Sequence, residues 1–237
     1  FGFAGAGRQA DAQVMEAAVR ACGATRRVSV TTDARVAFHG ALDGAPGLLL
    51  IGGTGSMCYG RDAEGRESRA GGWGSLLDDV GSGYDLGLSS LRAVARQTDG
   101  RLPRSPWGGA TLRAAGTDAE DLVRWTGAAS KQDIAALAPV VLSAAAGGDE
   151  QAGVVVTRAA ADLAALVPAA ALGLDLGRQP AVALTGGVLL HSGFYRGLVV
   201  DALREACPHA TARARVHDPA WGAVLMAREA LAEDAHH

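Results

Sequence analysis

Between Leu48 and Gly87 the chain sets three glycine-dense turns around a few polar side chains, and this constrains the fold more than any other feature of its 237 residues. The run Leu48-Leu-Leu-Ile51 predicts a buried strand. It empties into Gly52-Gly-Thr-Gly-Ser56, where missing side chains let backbone N–H groups close on an anion and Thr54 and Ser56 add hydroxyls. Met57–Tyr59 resumes an extended run, and Arg61–Arg66 reads as a turn. Gly71-Gly-Trp-Gly74 then leads to Asp78, Asp79 and the pair Gly81, Gly83. The pattern reads as a phosphate and sugar site; a glycine-rich hairpin without a ligand is the plainer alternative.

The strings GGTGSMCYG, GGWG and DDVGSGYDLG, in that order, resemble the N-acetylglucosamine kinase branch of the BadF/BadG/BcrA/BcrD ATPase family, sugar kinases of the actin-like superfamily. Val30-Thr-Thr-Asp-Ala34 upstream and Leu184-Thr-Gly-Gly-Val188 downstream extend the likeness over nearly the whole chain. Two positions depart from the family pattern: Val80 stands where an acidic residue is usual, and Asp78 where a glycine is. The resemblance implies an α/β fold with actin-like (ribonuclease H-like) lobes, ATP and Mg²⁺ as cofactors, and a small-molecule amino sugar as substrate. A homodimer is among the assemblies expected.

Composition bounds the remaining classes. A hydrophobic fraction of 49% with 20% charged residues is that of an ordinary globular chain. A net charge of -3 and 5% aromatics argue against a nucleic-acid surface. Cys22, Cys58 and Cys207 are odd in number and lack CxxC spacing, so neither a disulfide framework nor a zinc site follows, and a reducing cytoplasm is the expected compartment. The longest apolar stretch, Ala152–Gly173, is interrupted by Arg158, Asp162 and Pro168, which predicts a buried amphipathic helix and no membrane partner. His39, His191, His209 and His217 show no HExxH-like spacing, and no metal ligands are assigned.

Along the chain, Phe1–Ala4 predicts a strand fragment, Asp11–Cys22 a helix, Arg27–Thr31 a short strand ending at Asp33, and Ala34–Ala41 a second helix. A lobe boundary is expected near Ala45. This makes 1–45 the remnant of an N-terminal lobe and 46–237 a C-terminal lobe with a helical insertion over about 99–150. Tyr84, Leu88, Leu91 and Ala95 share a helical face, and Leu102–Gly109 reads as a loop. Helices follow near Asp118–Thr126, over Lys131–Ala146 with Ser130 as N-cap, and over Asp149–Leu172. A strand Ala181–Leu184, a helix Gly193–Cys207, a strand Thr211–Val216 and a helix Pro219–Glu233 complete the order, with His236–His237 read as a tag remnant. The superfamily's first phosphate loop, an Asp-x-Gly-x-Thr pattern, does not occur, so the sequence reads as truncated at its start.

Phosphoryl transfer needs charge neutralised on the moving group and an acceptor hydroxyl held in line, with a base for its proton. Gly53, Thr54, Gly55 and Ser56 match the family's second phosphate loop, and Gly186 and Gly187 its adenosine-facing turn, so the resemblance implies nucleotide binding by these six. Asp33 reads equally as a helix N-cap or as a proton acceptor; the resemblance implies the latter, as catalytic base. Gly71, Gly72, Trp73 and Asp79 offer an aromatic face and an acceptor carboxylate for a sugar. Trp73 reads equally as core.

Competing readings remain. Gly5-Ala-Gly-Arg-Gln-Ala10 satisfies a dinucleotide fingerprint, with Asp33 as its distal carboxylate, but that reading leaves residues 48–87 unexplained. Within the family an activator ATPase is the alternative, although such proteins hold an iron–sulfur cluster on paired cysteines. A non-catalytic sugar-binding regulator of the same fold is the third.

Overall fold

The computed structural model describes residues 1–234 except 4, 8, 24 and 26, so Ala4 and Arg8 of the expected opening motif and the terminal His236–His237 lie outside the described residues. Strand β1 (Gly2–Phe3), helix α1 (Gln9–Ala21), strand β2 (Thr31–Thr32) and helix α2 (Asp33–Leu42) come first, β1 and β2 pairing in parallel. The strand expected over 27–31 shrinks to β2, because this two-stranded ladder has no third strand among the described residues to extend it.

Strands β3 (Gly47–Gly52), β4 (Ser56–Arg61) and β5 (Glu67–Gly71) form an antiparallel meander. Helix α3 (Gly83–Thr98) follows, and then a run of four helices: α4 (Pro106–Ala115), α5 (Leu122–Ala128), α6 (Lys131–Ala135) and α7 (Ala138–Ala146). Next come α8 (Glu150–Ala164), α9 (Leu166–Ala171), β6 (Ala181–Thr185), α10 (Gly187–His191), α11 (Gly193–Ala206), β7 (Thr211–Ala214) and α12 (Pro219–Asp234). The five-stranded sheet runs β5-β4-β3-β6-β7, with β3, β6 and β7 parallel. A meander on one side of the first strand and two parallel strands on the other is the ribonuclease H-like arrangement of an actin-like lobe.

Strand β3 is central and covered on both faces, which is why it reads as an unbroken apolar run. Leu48 and Leu50 join a core with Val156, Leu163 and Tyr195, whereas Leu49 points the other way, into Phe38 and Tyr59. The helix expected near 118–126 runs over Leu122–Ala128; at three other places where the expected boundaries fail, proline explains it. A proline ring collides with the carbonyl four residues earlier and lacks an N–H. Pro139 accordingly separates α6, ending at Ala135, from α7, and Pro168 separates α8, ending at Ala164, from α9. Pro106 has the opposite effect: at the first turn of α4, behind the Ser105 cap, it starts a helix inside the segment expected as loop. The span 150–171 is long and apolar enough by composition to cross a membrane, yet Ala152, Val156, Ala160 and Leu163 of α8 are core residues here.

The last helix returns to the start of the chain. Helix α12 lies on α2 so closely that a Cβ on Gly222 would stand 1.9 Å from the Val36 carbonyl oxygen, and one on Gly40 2.3 Å from that of Asp218. His217 and Val216 donate backbone hydrogen bonds to Gly40 and Ala41. In packing, therefore, α12 belongs with the first forty-five residues.

His39, on the buried side of α2, faces Glu229 of α12 at 3.8 Å, and its Nδ1 has no hydrogen-bond partner. Burial pushes its imidazole below its ordinary range; Arg61 and Arg35 act in the same direction, while Glu229 and Glu67 oppose them. The unfolded chain then takes up this proton before the folded one does. Stability is complete above the ordinary value of 6.5 and erodes as the pH falls below it toward the lower folded value. Thermal melts from pH 7.5 to 5.5 should show a falling Tm that is shallower in His39→Gln; parallel slopes would mean that other groups set the acid limb.

Candidate active site

Two glycine turns meet at the carboxyl ends of β3 and β6, which are parallel neighbours in register from Leu48–Val182 to Ile51–Thr185. In an open α/β sheet this is where ligands bind. Gly186 has φ +96° and lies flat against the first turn: a Cβ there would stand 2.5 Å from the carbonyl of Gly52. Only glycine meets both demands. Gly187 then opens α10.

The loop 52–56 is held by its carbonyls. Gly53 and Thr54 accept from the backbone N–H groups of Gly83 and Tyr84, at 2.8 and 3.2 Å, so the first turn of α3 is clasped to the loop. Gly53 N–H closes onto the Gly55 carbonyl at 2.9 Å. Among the described residues, the N–H groups of Thr54 and Gly55 have no protein acceptor, which leaves two adjacent donors for a ligand oxygen.

Ser56 joins the three glycine turns. Its N–H donates to Asp79 Oδ1 at 3.0 Å, its hydroxyl donates to the Val80 carbonyl at 2.7 Å, and its own carbonyl accepts from Gly72 N–H at 3.0 Å. It is buried, and it builds the loop instead of offering its hydroxyl to the cleft as expected. Asp79 is buried too and adopts φ +65°, one of two non-glycine residues at positive φ among those described. Its Oδ2 lies 2.7 Å from Lys131 Nζ as an ion pair, in an orientation that does not make a hydrogen bond. Asp79 thus sits against the loop 52–56. The neighbouring turn is pinned from below: Gly81 N–H donates to Asp85, and its carbonyl accepts from the buried Tyr195 hydroxyl at 2.8 Å.

Beside the two turns opens a cleft of about 590 Å³. Gly53, Thr54 and Gly83 form one side, Gly187 and Val188 another, and Ala135 of α6 with Pro139 and Leu142 of α7 a third. Such a mainly apolar wall with backbone donors at one end suits a flat ring carrying a charged tail.

The other expected residues lie apart from this cleft's lining. Gly71 and Gly72, at φ +78° and +74°, form the turn that leaves β5, and Trp73 beyond them is 67% exposed with the Arg69 guanidinium 5.2 Å from its ring centre. It is not core. Asp33 is exposed in the first turn of α2, accepting Ala34 N–H at 2.9 Å; the N-cap is Thr32, whose hydroxyl accepts from Arg35 N–H. Asp33 is therefore not the N-cap residue, although its carboxylate holds one free N–H of the first turn.

The sequence pattern of the BadF/BadG/BcrA/BcrD ATPase family matches residues 1–227. The chain belongs to this family. An N-acetylmuramic acid/N-acetylglucosamine kinase of Clostridium acetobutylicum is 33% identical over 231 residues, covering 96% of this chain and 76% of that protein. An N-acetyl-D-glucosamine kinase of Dictyostelium discoideum is 32% identical, covering 95% and 73%. Among solved structures, a candidate N-acetylglucosamine kinase from Chromobacterium violaceum superposes with a TM-score of 0.72 at 33% identity, over 85% of this chain and 66% of that one. The chain spans about two thirds to three quarters of the length of these relatives.

Lys131 was not singled out from the sequence. A signal was there: it is the only lysine among the 22 lysines and arginines of the chain. The clamp also explains Gly55, where a Cβ would stand 2.5 Å from Asp79 Oδ1 and 3.0 Å from Lys131 Nζ. Gly55→Ala should push the carboxylate off Ser56 and cost about 1–3 kcal/mol. A denaturant midpoint equal to wild type would show that the clamp yields freely.

Proposed function

We propose that the protein is an ATP-dependent amino-sugar kinase that phosphorylates a hydroxyl of N-acetylglucosamine or a close relative. The observation that carries this reading is the pairing of two glycine turns at adjacent parallel strand ends, with the free donors of Thr54 and Gly55 beside an apolar cleft. The names of the relatives support the substrate class: two are kinases of N-acetylglucosamine, one of them also of N-acetylmuramic acid.

On this reading the adenine ring lies between helices α6 and α7 and the Gly187–Val188 turn, and the phosphates meet the backbone of 53–55. The loop is rigid because its carbonyls and Ser56 are already engaged, so donors aimed at the phosphates need not reorganise during transfer. Trp73, with Gly71 and Gly72, offers an accessible ring for the apolar face of the sugar. Asp33 takes the proton of the attacking hydroxyl as its oxygen bonds to the γ-phosphorus and the bond to the bridging oxygen breaks, releasing ADP. Mg²⁺ supplies charge neutralisation on the phosphates when bound. The described residues hold no group of three His, Cys, Asp or Glu placed to bind the ion, and no step is derived through it. A cytoplasmic location and a homodimer complete the proposal.

In the intact protein Asp33→Asn should lower kcat with ATP and N-acetylglucosamine by roughly 10²–10⁴, with sugar affinity little changed, because it removes the acceptor and keeps the shape. A loss under about threefold would take the base role from Asp33.

A further inference from the structure

Lys131 stands at the start of α6, directly after the Ser130 capping box, and α6 forms part of one wall of the cleft. Its ammonium lies 2.7 Å from Asp79 Oδ2 and 3.0 Å from the point a Cβ of Gly55 would occupy. The lone lysine of the chain therefore lies over the same loop that presents the unpartnered N–H groups of Thr54 and Gly55. Its side chain is 36% exposed while that of Asp79 is 4% exposed, so the pair is buried on the carboxylate side and open on the cation side.

The choice of residue type is informative. Elsewhere among the described residues the carboxylates meet arginine, as in Arg66–Asp62, Arg101–Asp99 and Arg35–Glu67, or histidine, as in His39–Glu229. A guanidinium fork suits a fixed, bidentate partner. An ammonium is a compact charge with three rotatable donors on a flexible stem, and it can be shared between two acceptors. If the contact served only to fasten α6 to the loop, arginine would do as well.

We propose that Lys131 is the cationic contact for the distal phosphates of the nucleotide, shared with Asp79, beside the loop that presents the Thr54 and Gly55 donors. This rests on the nucleotide reading of the cleft. Asp79 then acts as a positioning residue: it holds Ser56 with one oxygen and aims the ammonium with the other. The β- and γ-phosphates feel Lys131, and the adenosine end does not.

The test is a set of calorimetric titrations of the intact protein and Lys131→Met with ATP, ADP and adenosine as separate probes. Lys131→Met should weaken ATP and ADP roughly ten- to hundredfold, the worth of one charge-assisted contact, and adenosine less than about twofold. Should Lys131→Met fail to fold, Lys131→Gln, which keeps a polar tip for Asp79, carries the same expectation. Unchanged ATP affinity with a lowered melting temperature would make the contact a structural latch and overturn the inference, as would equal losses on ATP and adenosine. If the wild-type protein binds ATP and the variant keeps its preference for ATP over adenosine, this inference alone falls. A wild-type protein that binds neither ATP nor adenosine overturns the nucleotide reading, and this inference with it.

Discussion

The hydrogen bond from Ser56 N–H to the buried Asp79 carboxylate is the interaction on which the rest of the site depends. Ser56 is the first residue of β4, and so belongs to the sheet. Asp79 belongs to the turn that leads into α3. Joining them fixes the loop 52–56 between a strand and a helix, and the added bonds from Ser56 to Val80 and from Gly72 to Ser56 bring in the third turn. Because these groups are buried, losing one partner strands the other without water, which costs more than the bond itself is worth. The glycines around them follow from the crowding, since Gly55 has a carboxylate where its side chain would be.

Sheet topology supplies the second constraint. The parallel pairing of β3 with β6 brings Gly53 and Gly186 together although 133 positions separate them, and the antiparallel return of β4 keeps Ser56 beside the same strand end. A site assembled from such distant segments requires the core first. Leu48 and Leu50 against α8 and α11, and Leu49 against α2, hold β3 in a single register, since a slip of one residue would exchange its two faces.

Much of this was legible in the sequence, for identifiable reasons. The strand Leu48–Ile51, the glycine turns and the Ser130 cap are local signals, and each is found where the local chemistry puts it. The breaks at Pro139 and Pro168 were legible in principle, because a proline fixes its effect four residues upstream. Strand β5 was not, since Glu67-Ser-Arg-Ala-Gly71 has little β propensity and is extended only because β4 pairs with it. The side of the loop 52–56 on which Asp79 lies depends on tertiary closure, as does the reach of Lys131 from α6. The return of α12 to α2 is marked only by Gly40 and Gly222, which nothing in the sequence links.

The backbone of Asp79 shows how the competing terms balance. An aspartate at φ +65° gives up about 1 kcal/mol relative to an ordinary conformation, and glycine at that position would remove the strain. Glycine would also remove the acceptor for Ser56 and the partner of Lys131. A hydrogen bond to a charged group is worth about 1.5–3 kcal/mol, and an unsatisfied buried N–H costs a further 1–3. The sum favours the strained carboxylate by a clear margin. The same comparison explains the opposite outcome at Gly186, where a side chain would find no partner and would meet the Gly52 carbonyl, so that strain and collision both favour glycine. Two left-handed positions in one site thus carry different residues because only one of them has a donor and a cation to hold.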